Sequence, residues 1–499
     1  MEFDVTIGLE THVQLKTKTK MFCSCLLKTG CEPNTNVCPV CLGYPGALPM
    51  MNREAVKLTV MSGLMLGSRI NHHATFDRKN YFYPDMAKDY QISENGQPLC
   101  LGGGVTIQTA GGPKLIRINH IHLEEDAAKI NHYATTSGVD FNRGGTPLME
   151  IVGEPDLSSP DEAIAYLTAL KEMLVYAGVS DCNLEEGNMR SDVNISIRPK
   201  VAGREGLPMT ADGRIDYKEL GTKVEIKNMN SFSGIHAALE YEVKRQRYCL
   251  EHGLEIVQET RRWDPDAMET ASMRSKENAH DYRYFPEPDL VPVELDEATV
   301  EAWRKLLPEP PEKRRARMIE EYGIAEYDAD VLSQHKANAD FFEAACAALA
   351  AAGGASDKKL SKLLCNLFMG DVMALMNASG KAIGECALSP AALAALVRLS
   401  AAGTINGPTL KELLPEIFEK GGDPERIVKE RGLGAVSDTG ALEAFIDQAI
   451  AANPKSVADF KAGKKAAAGF FVGQVMKLSK GKADPKLVGP MVAKKLAAL

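Results

Sequence analysis

No stretch of this 499-residue chain reads GxxxxGK[ST] or GxGxxG, so neither of the common glycine loops that cradle phosphates is present. No run approaches the roughly 18 apolar residues of a bilayer-crossing helix, and no membrane segment is expected. The opening residues carry Glu2 and Asp4 where a secretory leader would be basic and then apolar, so a cytoplasmic protein is expected. No Ser–His–Asp pattern and no obvious cysteine nucleophile stands out. Internal repeats and low-complexity tracts are missing too. Positive charge is not in excess: 58 Lys and Arg face 67 Asp and Glu, a net charge of −9. That excludes nucleic-acid binding over the whole surface but leaves room for a local basic patch.

What is present begins with eleven cysteines. An odd number with four grouped near the start fits a reducing compartment better than a disulfide framework. Cys23 and Cys25 are followed, after twelve intervening residues, by Cys38 and Cys41. Two short-spaced pairs let one loop wrap a zinc ion in four thiolates. Cys31 competes as a ligand, and four reduced thiols in a loop are the plain alternative. Cys182, Cys249, Cys346, Cys365 and Cys386 sit in apolar or helical contexts and read as packing residues.

A chain this long exceeds one core. Residues 1–292 are rich in glycine and in period-two alternation. In Phe3–Lys16, Val5, Ile7, Leu9, Val13 and Leu15 point one way, and Thr6, Glu10, His12 and Gln14 the other. Asp192–Arg198 and Lys223–Lys227 alternate likewise. These are half-buried strands of a largely antiparallel sheet. Pro160–Ala177 reads as a helix capped by Ser158 or Ser159. Asp281–Leu290 and Pro308–Pro311 mark a boundary. Residues 293–403 are then helical, and a turn at Thr404–Gly407 opens a last helical segment, 404–499. The fold class is α+β. From Lys461 to Leu499 there are nine lysines and one acidic residue, Asp484. Gly463–Lys465 and Lys477–Lys482 flank the apolar helix Gly469–Met476. Lysine at this density suits a phosphate backbone, bound by counter-ion release without base readout.

Carboxylates crowd the strand-like segments: Glu10, Glu124, Glu125, Asp126, Glu150, Glu185, Glu186, Asp192 and Glu225. Left unpaired on a sheet face they are costly, and a cation relieves that cost. Hard oxygen ligands favour Mg2+ with substrate phosphates, as in an ATP-using site. Salt-bridged surface carboxylates are the plain alternative. Arg143, Gly144 and Gly145 form a turn suited to a phosphate or carboxylate, though an ordinary hairpin turn explains it as well. His72 and His73 read as solvated, with a metal role open. Arg261–Trp263 suits either stacking on a base or a core cap.

Several motifs together resemble the B-subunit family of glutamine-dependent aspartyl/glutamyl-tRNA amidotransferases. They are Ile7–Gln14, Cys38–Gly46, Lys79–Asp85, Ile121–Asp126, Thr146–Val152, Met189–Ser196, Glu225–Ser231, Asp281–Leu290 and Gly403–Gly407, in order along the chain. The resemblance implies an antiparallel-sheet cradle domain over 1–292, an all-helical domain over 293–403 and a YqeY-like tRNA-binding tail over 404–499. It implies ATP-dependent phosphorylation of the side-chain carboxylate of Glu-tRNA(Gln) or Asp-tRNA(Asn), then amidation by ammonia channelled from an amidase A subunit, with a small C subunit completing a heterotrimer. It implies that Glu10, His12, Glu124, Glu125 and Glu150 line a Mg2+ site, with Asp192 and Glu225 next in rank, and that zinc on the cysteine quartet is structural. A non-catalytic tRNA-binding scaffold and a freestanding amide ligase are the rival expectations.

Overall fold

The alternation of Phe3–Gln14 (β1) becomes the middle of a large sheet. A computed structural model describes residues 2–28, 30–201, 206–211, 214–275, 282–353, 357–434, 439–461, 466–479, 483 and 485–498. The other strands that matter for function are His73–Asn80 (β2), Tyr90–Gln97 (β3), Gly112–Glu125 (β4), Pro147–Gly153 (β5), Met189–Pro199 (β6) and Val224–Lys227 (β7). Glu259–Asp264 (β8), Glu269–Ser275 (β9) and Phe285–Pro286 (β10) complete the main path. Its order is β9-β8-β7-β6-β1-β5-β4-β3-β2-β10. Pairing is antiparallel except between β7 and β8. The architecture is α+β.

One face of the sheet is packed. Ile7, Leu9 and Val13 of β1, Ile121 and Leu123 of β4, Met149 and Ile151 of β5, and Val193 and Ile195 of β6 belong to one core. Arg53–Met65 (α1), Pro160–Tyr176 (α2) and Phe232–Glu251 (α3) contribute to that core, α2 through Tyr166, Leu167, Leu170 and Leu174. Ser159 caps α2 by accepting from the Glu162 N–H, and Glu162 returns by accepting from the Ser158 N–H. Pro160 fits the first helical position because its missing N–H has no partner there anyway. The even-numbered residues of β1, β4, β5 and β6 face the other way. That face carries the carboxylates.

Two compact units make up the chain, Met1–Pro310 and Pro311–Leu499. Val293, Leu295, Val300 and Trp303 belong to the first unit's core. The second unit is helical. Phe342, Phe368, Leu393, Leu413 and Phe418 sit in one of its cores, and Leu442, Ile446, Phe471, Val475 and Val492 in another. Asn406, within the Thr404–Gly407 turn, caps Gly407–Lys420 by accepting from the Thr409 N–H. No helix among the described residues is long and apolar enough to cross a membrane.

Candidate functional site

Strand parity and register build the site. His12 on β1 lies opposite Glu150 on β5, and Glu150 lies opposite His122 on β4. Glu124 follows two residues after His122 on the same face. Ligand atoms of His12, Glu124 and Glu150 all stand within 4.8 Å of one another. His12 Nδ1 is 3.7 Å from Glu124 Oε1 and 3.8 Å from Glu150 Oε2. These gaps are too long for hydrogen bonds. They do match the spacing of two ligands on a cation bound at about 2.1 Å, roughly 3.0–4.2 Å. Buried His12 Nδ1, His122 Nδ1 and Glu124 Oε2 have no hydrogen-bond partner among the described residues. The donor set of one imidazole and two carboxylates therefore fits a hard divalent cation.

The charge of the two carboxylates is balanced from within the protein, so a cation would bind by displacing a proton. Burial opposes a charge on His122, but Glu150 and Glu124 outweigh it and raise its pKa to about 10. His12 is likewise raised, with burial overcome by Glu150, Glu124 and Asp192. Burial also works against ionised Glu150, yet His122 and His12 bring it down to about 2. Lys79 stays protonated against its burial, chiefly because of Glu124. Positive groups thus gather where two carboxylates are buried together.

The other expected residues fall in different places. Glu10 shares the face with His12, but its Oε1 accepts from Asn194 Nδ2 at 2.8 Å. Glu125 is one residue beyond Glu124, so the pleat turns it to the opposite side of the sheet. There it pairs with Lys88 at 2.5 Å and accepts from the Ile92 N–H. Asp192 takes Lys227 Nζ at 2.5 Å, and Glu225 lies 3.5 Å from the same ammonium. Thr260 also donates to Glu225. Arg143 donates to the Ala127 and Ala128 carbonyls. The Gly144 and Gly145 N–H groups donate to the carbonyls of Phe141 and Asp126. That turn is therefore tied to the protein's own main chain.

The thiols of Cys23, Cys25, Cys38 and Cys41 form a second group within 4.8 Å, and Cys31 is not part of it. Cys41 and Cys38 Sγ are 3.8 Å apart, about the edge of a tetrahedron with metal–sulfur bonds near 2.3 Å. A hydrogen bond from Cys23, and then the Cys38 amide and Lys20, holds the Cys41 thiol down, to about 4, against its burial. The arrangement fits zinc. Cys182, Cys249, Cys346 and Cys365 are buried, as packing residues should be.

Two of the cavities beside the strands are lined by expected site residues. One of about 490 Å³ is lined by Gly8, Glu10, Gly153, Asn194, Tyr217 and Lys223. Another of about 360 Å³ is lined by Lys20, Cys41, Lys88, Glu125 and Gly145 among others. His72 bonds to the Leu295 carbonyl and His73 to Glu294. Trp263 is a core residue. Of the lysine-rich tail, Gly463–Lys465 and Lys480–Lys482 lie outside the described residues, and Lys495 pairs with Asp447.

His122, Lys79, Lys227 and Lys88 went unassigned in the sequence. Parity alone marks His122, two residues before Glu124 on one strand. Lys79 opens the Lys79–Asp85 motif, but nothing in its spacing points at Glu124.

A family model described as the GatB/GatE catalytic domain matches residues 5–301. One described as the GatB domain matches residues 340–496. The chain is 47% identical over 503 residues to a protein of Carboxydothermus hydrogenoformans, covering 100% of both. It is 48% identical over 498 residues to one of Thermoanaerobacter pseudethanolicus, again covering 100% of both. With a protein of an Anaeromyxobacter species it shares 48% over 497 residues, 99% of each chain. Each of the three is named as the B subunit of an aspartyl/glutamyl-tRNA(Asn/Gln) amidotransferase.

Proposed function

The chain belongs to the GatB/GatE family, and on that footing we propose that it is the carboxylate-activating subunit of a tRNA-dependent amidotransferase, a ligase-type enzyme. A carboxylate is a poor acyl donor because its leaving group would be oxide. Transfer of the γ-phosphoryl group of ATP to the side-chain carboxylate of Glu-tRNA(Gln) or Asp-tRNA(Asn) gives an acyl phosphate and ADP. Ammonia then attacks the acyl carbon, phosphate departs, and the amide remains.

The supporting observation is the meeting of His12, Glu124 and Glu150 on three adjacent strands. These residues would hold Mg2+, which when bound neutralises phosphate oxygens and aligns them with the attacking carboxylate. Lys79 and the Lys227 ammonium beside Asp192 and Glu225 add positive charge around it. Glu10 and Asn194, bonded to each other, line the 490 Å³ cavity, which we assign to the nucleotide. Arg143 stands 3.6 Å from Asp126 and the Gly145 N–H donates to the Asp126 carbonyl, so this turn braces Asp126. Zinc on the quartet is structural. The partners are an amidase A subunit, a small C subunit and misacylated tRNA, and the compartment is the cytoplasm.

Reconstitution with the two partner subunits tests this. ATP cleavage dependent on misacylated tRNA should fall at least 100-fold in Glu150→Gln, with tRNA affinity kept. Parental cleavage in that variant would favour the scaffold reading. Turnover of free glutamate by the chain alone would favour a freestanding ligase.

A further inference from the structure

Lys20 is 1% exposed, the most deeply buried lysine among the described residues. Its main chain is fixed. The Lys20 N–H donates to the Cys25 carbonyl, and the next N–H, of Met21, donates to the Gly145 carbonyl. Met21 and Phe22 are core residues. The side chain therefore has little freedom to reach solvent.

A buried ammonium needs a compensating anion. Among the described residues Lys20 makes no ion pair with a carboxylate. Its Nζ donates to the Phe141 carbonyl at 3.2 Å and approaches Cys41 Sγ at 3.6 Å. A carbonyl and a neutral thiol would leave the charge uncompensated. Four thiolates around Zn2+ carry a net charge of −2 and compensate it.

We propose that Lys20 is the fixed counter-ion of the four-thiolate centre, and that the centre in turn keeps Lys20 away from Glu125. This rests on the reading of the quartet as a zinc site. The link runs through Gly145, whose φ is +84°. A Cβ built there would lie 3.5 Å from Lys20 Cδ, 3.7 Å from Cys41 Cβ and 3.9 Å from Glu125 Oε2. Gly145 thus lies beside Cys41, Lys20 and Glu125, which all line the 360 Å³ cavity. In the structure Lys20 Nζ stands at sulfur while Glu125 pairs with Lys88; loss of the thiolate charge would leave two ammonium groups to compete for one carboxylate. Lys20 is a positioning residue. Outer partners of this kind are worth about 10- to 100-fold in metal retention.

The test uses the full zinc-loaded chain and Lys20→Met, which keeps the volume and removes the charge. Zinc release to a chromogenic chelator at neutral pH should be about tenfold faster or more in the variant. Release at the parental rate overturns the proposal. In the unmutated chain, pulsed acetylation read by mass spectrometry should leave Lys20 unmodified with zinc and modified after chelation. Equal modification in both states overturns it too, and this arm decides the matter if the variant does not fold. A parental chain holding less than about half an equivalent of zinc removes the zinc reading along with the proposal. A loaded parent with unchanged release in Lys20→Met removes the proposal alone.

Discussion

His12 carries the pH dependence of the proposed metal site. Burial opposes a charge on its ring, but Glu150, Glu124 and Asp192 outweigh that and raise its pKa, so without metal the ring holds its proton more firmly than a free histidine. A cation can bind Nδ1 only after the proton leaves. Metal affinity should therefore rise with pH, and binding should release protons. Calorimetry in two buffers of different ionisation enthalpy reads this directly. No proton release at pH 7 would remove His12 from the ligand set. Glu94 offers a separate test. Burial pushes it up to about 8, although the Leu123 and Leu99 N–H groups donate to it. A folded value above the ordinary 4.5 means this group's contribution to stability is complete below 4.5 and is lost as pH climbs through 8. Glu94→Gln should flatten the stability profile across that window. Thermal melts from about pH 4 to about pH 9 check it, and an unchanged slope counts against it. At this scale parity put Glu10 beside His12 on β1 and Asp192 on the polar face of β6, whereas the grouping of Glu150 with His12 came only with the family resemblance. The sequence was unreadable where partners come from distant segments, as with Lys79 beside Glu124 and Lys88 on Glu125.

Among the elements, β1 and α2 were legible and most loops were not. The alternation of Phe3–Gln14 and the cap-plus-proline start of α2 are local signals, and both elements follow them. Arg143–Thr146 carries local signals as well, but its hydrogen bonds run to Asp126 and Phe141, which no spacing reveals. The α2 helix allows a comparison of two kinds of stabilisation. Ser159→Ala removes one cap bond and should cost about 1 kcal/mol. Leu167, fully buried, should cost about 2–5 kcal/mol when cut to alanine, because the cavity it leaves cannot close. Denaturant midpoints of the two variants should differ in that order, and equal midpoints would contradict the packing described.

For the whole molecule, the question is where tRNA meets the chain. The acidic total of −9 coexists with a C-terminal segment of opposite sign. A deletion that tests the tail must respect its cores. Ile405, Leu413, Ile417 and Phe418 pack with Phe342 and Leu393, whereas Leu442, Phe471 and Val492 form a separate core. Ending the chain at residue 434 should leave zinc content and the main unfolding transition intact. It should weaken tRNA binding at least tenfold at about 0.1 M salt. Unaltered affinity would reject the tail as a tRNA contact.

The account depends above all on a cation held between β1, β4 and β5. Electron paramagnetic resonance with Mn2+ as the probe measures that site without any need for turnover. The parental chain should show one tight site, and Glu124→Gln and Glu150→Gln, each folded and zinc-loaded, should lose it. Variants that bind Mn2+ as tightly as the parent would contradict the account.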